Sequence, residues 1–337
     1  MSKHWFLFLI LVFSLHFGYS QSIKALDSLK TIPFIDTLLI DRDINNWSVR
    51  LFGSFREQRF VLSNKNNKLR YVPNNPVGVG FGLATKKLIA DFTINIIGNE
   101  EKATKRVDFN SKLLIKNHLF DLFLQDYEGF EVKNDLNDET IFRPDIETFG
   151  IGINYLYLFD VEKLSFSGMH SGLYHQKKAA YSFGVGGFVE YGNLNADTSI
   201  IPDELEPLFN EQAQITHSTD FAFGVKGGII SVFPLGNNFY AMANVIPGLG
   251  ITLKNVETAD LSYRPANPFI FDMELSGGVG YNAKRYYVIL TVRTDLLATS
   301  LGFDNNSLIH ETSAKLAIGY KLGNKNRLKP RKNKKTP

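Results

Sequence analysis

The sequence predicts an all-β fold, a closed antiparallel transmembrane β-barrel of about twelve strands (ten to fourteen), and three observations lead there. Apolar and polar residues alternate with period two from about Trp47 to Leu322, the mark of strands with one greasy and one wet face. The segments run roughly 10–14 residues, longer than the ~5–6 of globular sheets and matched to the ~9–11 of an oblique bilayer crossing. Tight connections such as "TKK", "FDVEK", "PLGNN" and "NAKR" interleave with long ones at 193–218, 254–268 and 299–308, the asymmetry of outer-membrane barrels. A soluble exported β-sandwich is the rival for the same alternation.

The chain opens "MSKHWFLFLILVFSLHFGYSQS", with basic Lys3, a thirteen-residue apolar run from Trp5 to Phe17, and small residues at Gly18 and Ser20. This is a secretory leader, cleaved near Ser20; its apolar run falls short of the ~20 residues of a spanning helix. Residues 21–46 follow as an expected periplasmic segment, 47–323 as the barrel and 324–337 as a basic tail. With no cysteine, the exported chain must rely on a core or a closed sheet. Mean hydropathy is only −0.10, which does not speak against a barrel whose apolar surface is hidden in alternation.

The formal charge of +3 is unevenly placed: the tail "KNRLKPRKNKKTP" holds seven Lys/Arg, and without those seven and Lys3 residues 21–324 carry −5. The basic balance therefore belongs to an appendage, and a nucleic-acid partner is not expected. The tail reads as a solvated end, with anionic lipid headgroups or cell-wall polymer as its alternative partner.

Thirteen candidate strands fall near 48–62, 77–86, 87–97, 105–117, 118–130, 147–158, 164–176, 180–192, 219–233, 239–253, 269–282, 285–298 and 309–322. Bacterial single-chain barrels have even strand numbers, so one candidate must go. The choice is 48–62, "SVRLFGSFREQRFVL", which mixes charges into both faces. In "LIADFTINII" Leu88, Ala90, Phe92, Ile94 and Ile96 oppose Asp91, Thr93 and Asn95. The same division along the later strands places Asp91, Asp108, Lys112, Glu190, Lys226, Asp272, Glu274, Arg293, Asp295 and Lys315 in the lumen. Both signs occur, so these charges must be paired or hydrated. Pro202-Asp-Glu inside the longest loop predicts a short helix over about 203–212.

The stretch Gly78-Val-Gly80-Phe-Gly82 looks like a phosphate-cradling glycine loop, but the sixth position is Leu83 and a strand pattern follows where a helix is required. As a barrel stave it turns Val77, Val79, Phe81 and Leu83 to lipid and its glycines inward, where backbone or a plug can approach closely.

Ser165, Ser167, His170, Ser171 and His175 cluster on the 164–176 candidate, with Asn154 expected near Ser167 across a hairpin. A lipid hydrolase would need Ser167, Asn154 and a histidine to converge, yet adjacent strand residues face opposite ways. "KNDLNDE" at 133–139 lacks the glycine and terminal glutamate of a calcium loop, and the histidines form no ligand pair. No catalytic residue, metal or cofactor is expected. Twelve strands lie between the eight that close on side chains and the sixteen of aqueous porins. The expected function is a narrow channel or small-solute binding and transport barrel in the outer membrane of a Gram-negative bacterium, in contact with outer-membrane lipid. A plugged surface-interaction barrel and a lipid-modifying enzyme are the alternatives.

The blocks "RYVPNNPVGVGFGLATKKLIADF", "LQDYEGFEV", "RPDIETFGIGINYLYLFDVEKLSFSG", "HQKKAAYSFGVGG" and "IGYKL" resemble, in order and spacing over about residues 40–322, the exported bacterial family called domain of unknown function 4421. The resemblance implies an outer-membrane β-barrel and transfers no functional residue.

Overall fold

The computed structural model describes residues 40–42, 47–95, 103–135 and 140–323; the expected leader, most of the 21–46 segment and the basic tail lie outside the described residues. In chain order the strands are β1 (Ile40–Arg42), β2 (Trp47–Ser63), β3 (Lys68–Val72), β4 (Val77–Thr85), β5 (Leu88–Asn95), β6 (Lys105–Ile115), β7 (His118–Asn134), β8 (Thr140–Leu158), β9 (Tyr174–Gln176), β10 (Ala180–Asn195), β11 (Ile215–Gly236), β12 (Phe239–Thr258), β13 (Ser262–Tyr263), β14 (Phe269–Asn282), β15 (Tyr286–Gly302) and β16 (Asn305–Leu322). Helix α1 (Phe166–Ser171) lies between β8 and β9, and short 3₁₀ turns occupy Asp203–Leu208 and Glu211–Ala213.

Twelve of these strands form a ring in the order β2, β4, β5, β6, β7, β8, β10, β11, β12, β14, β15, β16, each antiparallel to the next. The ring closes because β16 pairs back onto β2 from Asn306↔Ser63 to Leu322↔Trp47. Closure removes the open edges that would otherwise be left unpaired in lipid. The tight turns 85–88, 115–118, 236–239 and 282–286 share one end with Trp47 and Leu322, here called the turn end; the opposite end is the loop end. Strands β4, β5 and β6 stop short at the loop end, and β3 fills the notch above them by pairing Phe60–Ser63 of β2 and Glu131–Asn134 of β7.

The alternation has the sense read from the sequence: on β4 Val77, Val79, Phe81 and Leu83 are exposed, while Gly78 and Gly82 are buried. Large apolar side chains are exposed around the whole ring, with Leu51 at 71% and Phe269 at 72%. Such a continuous apolar exterior is untenable in water and suits a bilayer. Near the turn end it finishes in exposed aromatics, Trp47, Tyr157, Phe159, Tyr181, Phe239, Tyr286 and Tyr320, the girdle expected where lipid meets water. The chain is therefore a twelve-stranded transmembrane barrel of the outer-membrane type.

Three sequence expectations change. The surplus candidate is 164–176, and 48–62 is a ring strand. Strand β2 mixes charges because it turns Arg50 and Arg56 into the lumen, while Glu57 and Arg59 beyond the apolar band pair with each other. Segment 164–176 instead folds as α1, capped by Ser165, whose hydroxyl accepts from the Gly168 amide at 3.1 Å, and stopped by Gly172 at φ +62°, a left-handed position that favours glycine. The predicted loop at 299–308 is an extension of β15 and β16 joined by a tight turn with Phe303 and Asp304 at φ +51° and +63°. The predicted helix at 203–212 appears as the two 3₁₀ turns, with Pro207 inside the first.

Candidate functional site

The lumen is built in three layers. At the turn end, Phe166 and Met169 of α1 pack with Leu158, Leu164, Ile230, Tyr240, Met242, Tyr287 and Ile289 into a buried apolar cluster inside the ring. The helix crosses the lumen as a plug. Its carbonyls accept from two separate walls, β12 and β2: Tyr240 Oη donates to Met169 O at 2.9 Å and Arg50 Nη1 to His170 O at 2.5 Å. Gly172 lets the chain run against Tyr287, since a Cβ there would meet the ring at 2.7 Å. The stem is tied by buried Gln176, whose Oε1 accepts from the Ser165 amide at 2.8 Å and whose Nε2 donates to Lys163 O at 3.0 Å.

At the loop end, the segment between β10 and β11 crosses the mouth as a lid. Its Ile200, Ile201, Leu205, Phe209 and Ala213 are buried against Leu62, Leu69, Tyr71, Tyr127, Phe130, Ile146, Val256 and Leu301. Strands β10 and β2 are six apart in the ring of twelve, hence opposite. Asn64 and Asn67, beyond β2, both donate to Leu208 O at 3.0 Å. Further ties come from Tyr71 Oη to Ile200 O at 3.1 Å, Tyr263 Oη to Gln212 O at 2.7 Å and Asn305 Nδ2 to Asn210 Oδ1 at 2.7 Å. On β8, beyond the apolar band, Arg143 donates to Ser199 O at 2.7 Å and pairs with Asp145 at 2.6 Å. The Arg143 hydrogen bonds hold the Asp145 carboxyl below its usual range.

Between these closures lies a cavity of about 360 Å³ crossed by a belt of charge. Asp91 accepts from Arg50 at 2.7–2.8 Å and from Lys315 at 2.8 Å. Asp121 joins Lys112 to Arg293, the latter at 3.0 Å. Arg293 also reaches Asp295 at 2.7 Å and Glu274 at 3.4 Å, while Lys226 joins Asp272 and Asn154, each at 2.7 Å. Glu190 lines the cavity on β10. Asp108 sits in the wall beneath β3, accepting from Arg56 and Tyr127, each at 2.9 Å, and ion-paired with Arg106 at 3.1 Å.

The structure thus brings nine of the ten predicted lumen residues to one cavity, with Asp108 behind its wall. Sequence reading missed Arg50 and Arg56 because β2 was set aside, and missed Asp121, although Leu119, Asp121, Phe123, Gln125 and Tyr127 keep one parity in "HLFDLFLQDY". Ser167 is buried on α1, where its carbonyl accepts from Ser171 Oγ at 2.7 Å. His170 packs on Phe166 in a tilted pair with ring centroids 4.8 Å apart. Asn154 is engaged by Lys226 on the ring wall, not by Ser167. The described residues hold no group of three or more His, Cys, Asp or Glu that could hold a metal.

The glycines of β4 give up their inner space to specific neighbours. A Cβ on Gly80 would lie 2.3 Å from the Phe52 ring, and one on Gly82 would lie 2.1 Å from the Asp91 carboxylate and 2.8 Å from Arg50 Nε. The Arg50–Asp91 pair that helps seat the plug therefore rests in a clearing that glycine makes.

A family model described as "Domain of unknown function (DUF4421)" matches residues 34–322. No curated protein matches the sequence. Among solved structures the chain is similar to the translocator domain of autotransporter NalP from Neisseria meningitidis, at 9% identity over 82% of this chain and 88% of that one, with a TM-score of 0.42. It is also similar to outer membrane protease OmpT from Escherichia coli, at 7% identity over 86% and 100%, with a TM-score of 0.39.

Proposed function

The chain belongs to the family described as domain of unknown function (DUF4421), and on that premise we propose that it is a non-catalytic outer-membrane barrel that holds a small solute in a lumen sealed at both ends. The carrying observation is a cavity of about 360 Å³ between two separate apolar closures. A barrel serving only as a wall needs no room inside, and an open channel needs no seals. The volume is of the order of small-molecule pockets, ~300–1,000 Å³. Expected export by a leader cleaved near Ser20, with both ends of the ring beside the tight turns, supports a periplasmic turn end, where the basic tail would meet anionic headgroups or cell-wall polymer.

Planar-bilayer recording of the full chain tests this reading. The intact protein should be electrically silent, and replacing 166–171 by a Gly-Ser linker of equal length in a chain that also lacks the lid segment 196–214 should give steady conductance, because both closures are then gone. Steady current through the intact protein overturns the sealed chamber. The exposed acids of the lid, Asp203, Glu204 and Glu211, favour a second reading, a surface-interaction barrel. That reading predicts silence even after both closures are removed.

A further inference from the structure

The charges that line the chamber form a ledger with one surplus. Among the described residues its wall carries seven Lys or Arg and eight Asp or Glu. All seven cations stand in ion pairs, with the carboxylates of Asp91, Asp121, Asp220, Asp272, Glu274, Asp295 and Glu311 as lining partners. Glu190 is the exception: it has neither an ion pair nor a hydrogen bond to its carboxylate among the described residues. An uncompensated carboxylate inside a protein is costly unless a cation meets it.

The position is a prepared one. Glu190 lies opposite Gly152 on β8, and a Cβ on that glycine would come within 2.9 Å of the Glu190 Cγ and 2.5 Å of the Phe123 ring. The glycine clearing thus holds the acidic stem and an aromatic ring side by side. Apolar walls continue from there toward Leu156, Ile230 and Ile246. One carboxylate beside an apolar wall is poor at holding a divalent metal ion, which wants several oxygen ligands. It suits one positive charge carried on an apolar body.

We propose that the chamber binds a small organic monocation of the primary-amine class, with its ammonium on the Glu190 carboxylate and its hydrocarbon against Phe123 and the apolar wall. The proposal rests on the reading of the lumen as a solute chamber and adds the chemistry of the solute.

Isothermal titration of the detergent-solubilised full chain at pH 8 with butylamine, butyrate and butan-1-ol tests it. Butylamine should bind, and Glu190→Gln should weaken it at least tenfold, while the lid variant Glu204→Gln changes it less than twofold. Heat-modifiable gel migration checks that each variant is a closed barrel. If Glu190→Gln loses that migration, Glu190→Asp serves in its place and should weaken binding because the shorter stem draws the charge back from the chamber. Butylamine failing to bind, or binding equally to the Glu190 variant, overturns the proposal. Binding of butyrate or butan-1-ol in place of butylamine overturns the amine and leaves the solute chamber standing, whereas the bilayer recording judges the chamber itself.

Discussion

The plug and the lid close the same lumen by different means. Both are connections between neighbouring ring strands, and both bury an apolar face. The plug reaches down among the lumen charges: its last turn hangs on Arg50, which is itself held by Asp91 within the belt. The lid stays at the rim and spreads its ties over β3, β8, β13 and the turns that follow β2 and β15. A compact closure seated in one apolar cluster and braced by a buried ion pair should fail as a unit. One tied at many rim points should loosen by small steps.

Arg50→Ala should break this comparison most strongly. It strands Asp91 with Lys315 alone and frees the His170 carbonyl, and removing one member of a buried pair costs about 3–5 kcal/mol. The temperature of the heat-modifiable gel shift should fall, and bilayer current should appear when the variant is made in a chain that also lacks the lid segment 196–214. A silent barrel of unchanged shift temperature would show that the apolar cluster alone seats the plug. Met169→Ala addresses that cluster directly. It removes a side chain only 1% exposed, and the cavity left behind should cost about 2–3 kcal/mol, at the lower end for such deletions because a six-residue helix can settle. In the same lidless chain intermittent current should result, smaller in mean than for Arg50→Ala.

Tyr71→Phe sharpens the other side of the comparison. It takes one donor from Ile200 O and leaves the remaining ties of the lid in place, a loss of about 1–2 kcal/mol. Lid cleavage by added protease should speed up roughly 5–30-fold, the factor that such an energy represents, while the gel shift of the barrel stays put. A protease rate equal to wild type would mean that Tyr71 holds the rim and not the lid.

How legible these parts were in the sequence follows from how each one meets its solvent. Lipid outside and paired polar groups inside impose strict alternation on a ring strand, and Val77 to Leu83 display it without interruption. Strand β2 obeys the same rule only over its first half. Above the apolar band Glu57 and Arg59 face water outside while Arg56 and Gln58 still face inward, so both faces carry polar residues and the pattern dissolves. Segment 164–176 failed in the opposite way: it has no lipid face, and Ser and Gly at alternate places imitate a weak strand. Phe166 and Met169, at i and i+3, with Ser165 before them and Gly172 just past the last turn, are the helical signal that was available. Which lumen charges would pair was beyond reach, because Arg50 and Asp91 meet across strands 41 residues apart, and parity assigns a face but not a neighbour.

The smallest effect belongs to a single latch of the lid. Asp145 accepts from Arg143 and from the Asp197 amide at 3.2 Å, and Arg143 in turn holds Thr198 Oγ1 at 3.0 Å and Ser199 O at 2.7 Å. The arginine depresses the folded pKa of Asp145, so the latch contributes its full stability above the unfolded value of about 3.9 and loses it as pH falls through the lower folded value. For a partly buried pair at the rim, still reached by solvent, this is worth about 1 kcal/mol or less. Pepsin cleavage of the lid, normalised to a flexible control peptide, should therefore rise modestly as pH drops from 4 toward 2. In Asp145→Asn that rise should flatten, with lid cleavage by trypsin at pH 7 slightly above wild type. Because the other ties of the lid do not titrate in this window, the variant and the acidified wild type should converge at low pH. Divergence there would place the acid-sensitive tie elsewhere on the rim.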